Sequence, residues 1–197
     1  MLELKDYISE RFDLSDEVKK FTESISCIRN LKKGNKLITQ NQLVDKTYFV
    51  LDGCLRSFVY DINGKEHTLQ FALKDHWISD YIAIFSNEKS TQEVECIADS
   101  VVLEFSIEDG IESIFLSYPE IESLHRKNLE RVIVSLQKRV LNQLQMSSIE
   151  RYNLFLKQHK DIEKYALNYH IASYLGITQQ SLSRIRAENF KKSDFLT

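Results

Sequence analysis

Within residues 178–186 stand Thr178, Gln179, Gln180, Ser181, Ser183, Arg184 and Arg186, side chains that hydrogen-bond to base edges and phosphates. A guanidinium takes guanine O6 and N7 bidentately, and a primary amide takes adenine N6 and N7. No comparable chemistry stands out elsewhere. The sequence offers no Ser/His/Asp grouping, no ligand-spaced metal set and no phosphate-cradling glycine loop, with five glycines in all. No catalytic residue, metal ligand or cofactor is therefore assigned, and an enzyme ranks third among the readings. Cys27, Cys54 and Cys96 are far apart and without a C-x-x-C pair, so they read as reduced, largely buried small hydrophobes. His170, beside the polar series, reads as a surface histidine.

The elements that must position this series can be read around it. Ile171, Leu175, Ile177, Leu182 and Ile185 form an apolar stripe that Gly176 interrupts. Thr178 follows as an N-cap, predicting helices over 168–175 and 179–188 with a tight turn between them. Small Ala172, four residues before the glycine, allows two helices to cross closely. This is the sequence form of a helix-turn-helix. An ordinary αα-corner would share the apolar spacing and the glycine, but it would not need the amides, hydroxyls and arginines.

The net charge of −3 hides an asymmetry. Residues 1–110 carry 13 Lys+Arg against 20 Asp+Glu, and residues 111–197 carry 13 against 9. An acidic first half and a basic second half fit a sensor joined to a DNA-binding end. No apolar run is long enough to span a membrane, and the acidic, amphipathic N-terminus does not read as a signal peptide, so a cytoplasmic protein is expected.

From the N-terminus, residues 2–24 read as one or two amphipathic helices, with Ser15 a helix start. From Ile25 the period shortens. Strands are predicted over 27–31, 36–39, 48–51, 54–60, 67–71, 93–97 and 101–105, roughly eight in all, with a hairpin at Asn63-Gly64. Such spacing, with little helix between, indicates an antiparallel barrel or jelly roll. Residues 109–118 form a connector with helical character. Pro119 then opens a helix running to about Met146, roughly 40 Å long. Along it, Leu129, Val132, Leu136, Val140 and Leu144 recur at three- and four-residue steps, widened by Ile133 and Leu141. Either the helix packs its whole stripe on the barrel or, as we favour, half of it pairs with a second copy. A further helix spans 149–159. The fold class is thus α+β: a jelly-roll-like β-roll with N-terminal helices over 1–118, a long dimerisation helix over 119–146, and a helix-turn-helix domain over 147–197.

This order of elements resembles the Crp/Fnr family of catabolite activators and fumarate–nitrate regulators. The resemblance is carried by Tyr48-Phe49-Val50-Leu51-Asp52-Gly53-Cys54-Leu55-Arg56, by Ile171–Thr178 and by Leu182–Arg186. It implies a homodimeric transcription factor that binds double-stranded DNA, with RNA polymerase a candidate partner, Leu129, Val132, Ile133, Leu136 and Val140 in the dimer seam, and an effector inside the β-roll. Family members that bind cyclic AMP carry a Gly-Glu pair and, about ten residues later, an Arg-Ser or Arg-Thr pair. Those places fall near Ser79-Asp80 and Gln92-Glu93, with Lys89 the nearest cation. A carboxylate in place of the arginine repels a cyclic phosphate, so the effector is unknown or absent. Relatives often continue into a β-hairpin wing, for which nine residues are too few. Lys191 and Lys192 are expected to make that phosphate contact instead. The leading reading is a sequence-specific DNA-binding regulator not controlled by cyclic AMP. The alternative is a ligand-sensing or protein-binding β-roll module that has lost DNA reading.

Overall fold

The computed structural model describes residues 3–108 and 110–194, with side chains as far as Asn189. Two N-terminal helices, α1 (Leu4–Arg11) and α2 (Asp16–Ser24), precede eight short strands. These are β1 (Ser26–Leu31), β2 (Lys36–Ile38), β3 (Lys46–Asp52), β4 (Leu55–Tyr60), β5 (Glu66–Ala72), β6 (Trp77–Ile78), β7 (Glu93–Cys96) and β8 (Ser100–Ser106), with α3 (Tyr81–Ser86) inserted after β6. They form two antiparallel four-stranded sheets, ordered β1-β8-β3-β6 and β2-β7-β4-β5. The second sheet ends on β5, an edge strand.

Period-two alternation gives each sheet two apolar faces. Tyr48, Val50 and Val102 from the first sheet meet Leu55, Ala72, Val94 and Cys96 from the second inside the roll. The outward residues Phe49, Leu51, Leu103 and Phe105 are covered by Ile8, Phe12, Leu14 and Val18 of the N-terminal segment. On the other sheet, Cys54, Phe71 and Ile97 face the C-terminal helices. Gly53 joins β3 to β4 at φ +88°, where a Cβ would stand 2.3 Å from Ser100 Oγ and 2.5 Å from the Asp99 carbonyl. Only glycine fits both the left-handed backbone and the close approach.

Beyond the roll come α4 (Ile111–Ser117), the long α5 (Pro119–Gln145), α6 (Ser148–Gln158), a 3-10 turn over Ile162–Lys164, α7 (Asn168–Leu175) and α8 (Gln179–Asp194). Pro119 opens α5 where its missing N–H costs nothing. Ser147 and Glu150 form a reciprocal cap that starts α6. Among the described residues no helix is long and apolar enough to cross a membrane.

Three expectations need correction. The sixth strand and α3 were not foreseen. Cys27 is exposed, whereas Cys54 and Cys96 are buried as expected. The second helix of the expected helix-turn-helix runs on past residue 188 to Asp194.

Candidate nucleic-acid interface and effector position

The turn between α7 and α8 is closed by backbone geometry that its sequence dictates. Gly176 adopts φ 66°, ψ 36°. Its N–H donates to the Ser173 carbonyl at 3.1 Å, and the Ile177 N–H to the Ala172 carbonyl at 3.0 Å, which is the paired pattern of a Schellman stop. Thr178 Oγ1 accepts the Ser181 N–H at 3.1 Å and so caps α8. Ile171, Ala172, Leu175, Leu182 and Ile185 are buried in one cluster with Tyr152 and Phe155 of α6. The opposite face of α8 is open. Thr178, Gln179, Gln180, Ser183 and Arg184 are exposed, and Ser181 is half-buried. Arg184 has no carboxylate partner among the described residues.

Arg186 departs from the sequence expectation. Its guanidinium turns inward, donating to Tyr152 Oη at 3.0 Å, to Glu163 Oε1 at 2.5 Å and to Asn168 Oδ1. Every nitrogen is engaged, so this arginine braces the helical domain. The side chains of Lys191 and Lys192 lie outside the described residues.

His170 is also corrected. It is 3% exposed, its Nδ1 accepts the Leu167 N–H at 3.4 Å, and its Nε2 lacks a partner. Burial, with the Arg56 and Lys33 charges beside it, lowers its pKa to about 3. It stays neutral and is no phosphate ligand.

The expected effector position is closed upon itself. Asp80 is fully buried and caps α3, accepting the Ile82 and Ala83 N–H groups at 3.1 Å each. Its other oxygen accepts Ser90 Oγ–H at 2.7 Å and the Thr91 N–H at 3.3 Å. Ser79 Oγ donates to the Lys46 carbonyl, and Gln92 Nε2 donates to the Ser79 carbonyl. Glu93 pairs with Lys36 at 2.5 Å, while Lys89 is exposed. Four of these five side chains are thus committed to internal bonds, and Lys89 has no carboxylate partner among the described residues. Arg56, quoted above only as part of a motif, is fully buried. Its guanidinium bonds Glu95 and Glu66 and packs 4.0 Å from the Phe58 ring centroid.

The α5 stripe is half-buried at Leu129 and Val132 and then open, with Ile133 at 54%, Leu136 at 52% and Val140 at 57% exposure. From Ile133 onward it does not pack on its own β-roll, so the whole stripe is not covered by the roll.

The helical domain is docked on the roll through α7. Ser173 Oγ accepts the Thr68 N–H of β5 at 2.9 Å and donates to the Glu66 carbonyl at 3.1 Å. Tyr174 packs 5.3 Å from Phe71, and Arg139 of α5 lies 4.4 Å over the Tyr174 ring while bonding the Leu69 carbonyl. Arg139 therefore ties α5, β5 and α7 together. Sequence reading did not single out Arg131, Lys138, Arg139 and Arg151, although residues 131, 135, 138 and 142 recur at helical steps opposite the apolar stripe.

Residues 28–116 match the family profile described as a cyclic nucleotide-binding domain. No curated protein matches the chain in sequence. Among solved structures, FixK2 from Bradyrhizobium japonicum is 16% identical, with TM-score 0.72 and 86% of each chain covered. A candidate Crp/Fnr-family transcriptional regulator from Eubacterium rectale is 17% identical at TM-score 0.72, covering 96% of this chain and 89% of that one. CooA from Carboxydothermus hydrogenoformans, in a mutant form, is 19% identical at TM-score 0.66, with 93% and 88% covered. Residues 28–116 are thus similar to a cyclic nucleotide-binding domain, and the chain shares its overall fold with these solved structures.

Proposed function

We propose that this chain, a Crp/Fnr-fold protein by its architecture, is a sequence-specific DNA-binding transcriptional regulator that does not answer to cyclic AMP. The observation that carries the reading is the solvent-facing side of α8. It presents two amides, two hydroxyls and a guanidinium without a carboxylate partner, on a helix held at fixed angle by the Gly176 turn. Such a face enters a major groove and hydrogen-bonds base edges. The open stripe Leu129, Val132, Ile133, Leu136 and Val140 supports a homodimer joined along α5, which would present two copies of α8 to two half-sites. RNA polymerase is the partner such a regulator would act upon, and the cytoplasm the compartment.

Release from cyclic AMP rests on the effector position. Asp80 makes four bonds within the protein, and Glu93, expected near the place where cyclic-AMP-binding relatives carry an arginine, is a carboxylate paired with Lys36. Recovery of genomic fragments with the tagged protein tests the whole reading. A two-fold repeat with half-sites about one helical turn apart is expected. Fragments without a common motif would reject sequence-specific binding.

A further inference from the structure

A cleft of about 420 Å³ opens where α5 passes the helical domain, a size suited to a nucleotide-scale molecule. Its walls hold Arg131, Lys138 and Arg139 from α5, Arg151 from α6, His159 after α6, and His76 from the turn before β6. No Asp or Glu lines it. Among the described residues none of those four Lys and Arg side chains pairs with a carboxylate, whereas Arg29, Lys36, Arg56 and Arg186 all do. Like charges gathered in a concave site repel one another and focus a positive potential outward.

The details favour a bound anion over a merely solvated surface. Arg151 is held in place by the Met146 carbonyl at 2.8 Å and Ser148 Oγ at 3.3 Å, while its buried Nε has no partner. His76 Nδ1 accepts the Leu73 N–H at 3.2 Å, so the neutral ring carries its proton on Nε2 as a donor. Phe155, Leu154 and Leu175 supply an apolar part of the lining.

We propose that this cleft is an effector site for a small phosphate compound bearing at least two phosphate groups. A single phosphate would meet only part of a four-cation lining, and guanidinium groups bind phosphate oxygens in paired, directed fashion. The cleft lies on the face of α5 away from the apolar stripe, so pairing of α5 leaves it accessible. It is separate from both the interior of the roll and the exposed face of α8. Because its walls come from α5, α6 and the roll, an occupant would bridge the long helix to the DNA-reading domain. A duplex backbone is the competing occupant. The variant pair below separates the two occupants.

The test uses the full chain and sodium pyrophosphate, with sodium sulfate at equal ionic strength as reference. Calorimetry should show saturable binding of pyrophosphate, one per chain, accompanied by shifts of the His76 and His159 ring resonances. The paired variant Arg131→Gln/Lys138→Gln, at two exposed positions, should weaken binding on the order of tenfold or more. Lys127→Gln/Lys160→Gln, exposed but outside the cleft, should leave it unchanged. No saturable heat, sulfate binding as tightly as pyrophosphate, or equal loss in both variant pairs would overturn the proposal. So would a cleft variant that loses salt-dependent retention on duplex DNA as strongly as it loses pyrophosphate, since the cations would then hold DNA.

Discussion

Arg184 and Arg186 stand two residues apart on one helix, and their fates differ because a helix turns about 200° over that step. Whichever of them faces outward, the other turns toward the domain interior. The sequence pattern identified both as cations near the reading face, and it could not separate them without knowing where Tyr152, Glu163 and Asn168 would lie. The difference is measurable. Arg184→Ala should relax one guanine in a selected motif at a cost of about 1–3 kcal/mol of discrimination, with thermal stability unchanged. Arg186→Ala should instead destabilise the fold by about 1–2 kcal/mol, because it removes the guanidinium's bonds to Tyr152, Asn168 and Glu163, while the exposed Glu163 is still held by Tyr152 Oη. An unchanged motif for Arg184→Ala in in vitro selection would mean that α8 is not the reading helix. Asp80 carries a similar lesson. An acid near an expected ligand position reads as a ligand, yet an Asp followed by an apolar helical run is equally an N-cap. His125 and His170 were legible only as histidines. Burial lowers the first to about 4 and, with nearby cations, the second to about 3, against an ordinary value of 6.5. Both are neutral in the fold and protonate more readily when unfolded. Stability should therefore be full above pH 6.5 and fall by about 1.4 kcal/mol per pH unit for each group as pH drops toward 4. His125→Phe, among the rings of Tyr81, Phe85 and Phe115, should flatten that slope in thermal melts taken across the range.

Elements were legible where one physical signal dominated. The Asn63-Gly64 hairpin, the Pro119 start of α5 and the Gly176 stop of α7 each depend on a residue with special backbone behaviour, and all three lie where expected. The two-residue β6 carries too few positions for any period to be read, and α3 is held by the Asp80 cap more than by its pattern. The stripe of α5 was legible as apolar, but its own spacing could not say what would cover it. Leu136→Asp or Val140→Asp places a charge at exposed positions that cost a monomer little and would be buried in a paired seam. Light scattering at micromolar concentration should give a dimer mass for the wild type and a monomer for either variant. A monomeric wild type would end the case for a two-fold DNA reader.

Across the whole molecule, one apolar cluster runs from Cys54, Phe71 and Ile97 of the roll into Phe155, Ile171 and Leu175 of the helical domain. The roll and the helical domain are thus packed together, with the polar face of α8 left outward. The charge asymmetry of the two halves anticipated a division of labour but held no information about this contact, which depends on strands and helices far apart in the chain. The roll's interior is filled by apolar side chains such as Tyr48, Val50 and Leu55. Calorimetry with cyclic AMP should accordingly give no saturable heat, and micromolar affinity would show that the Asp80 network opens.

The two bonds that Ser173 makes to β5 also bear on how the protein keeps company with itself. β5 ends its sheet, and an edge strand with free N–H and C=O groups is a template for any other chain that can extend alongside it. Here a single hydroxyl, on α7, occupies the Thr68 N–H and the Glu66 carbonyl. Any movement that lifts α7 from the roll uncovers that edge. The contact that docks α7 on the roll therefore also covers a strand edge, and its opening would leave that edge as a template for self-association.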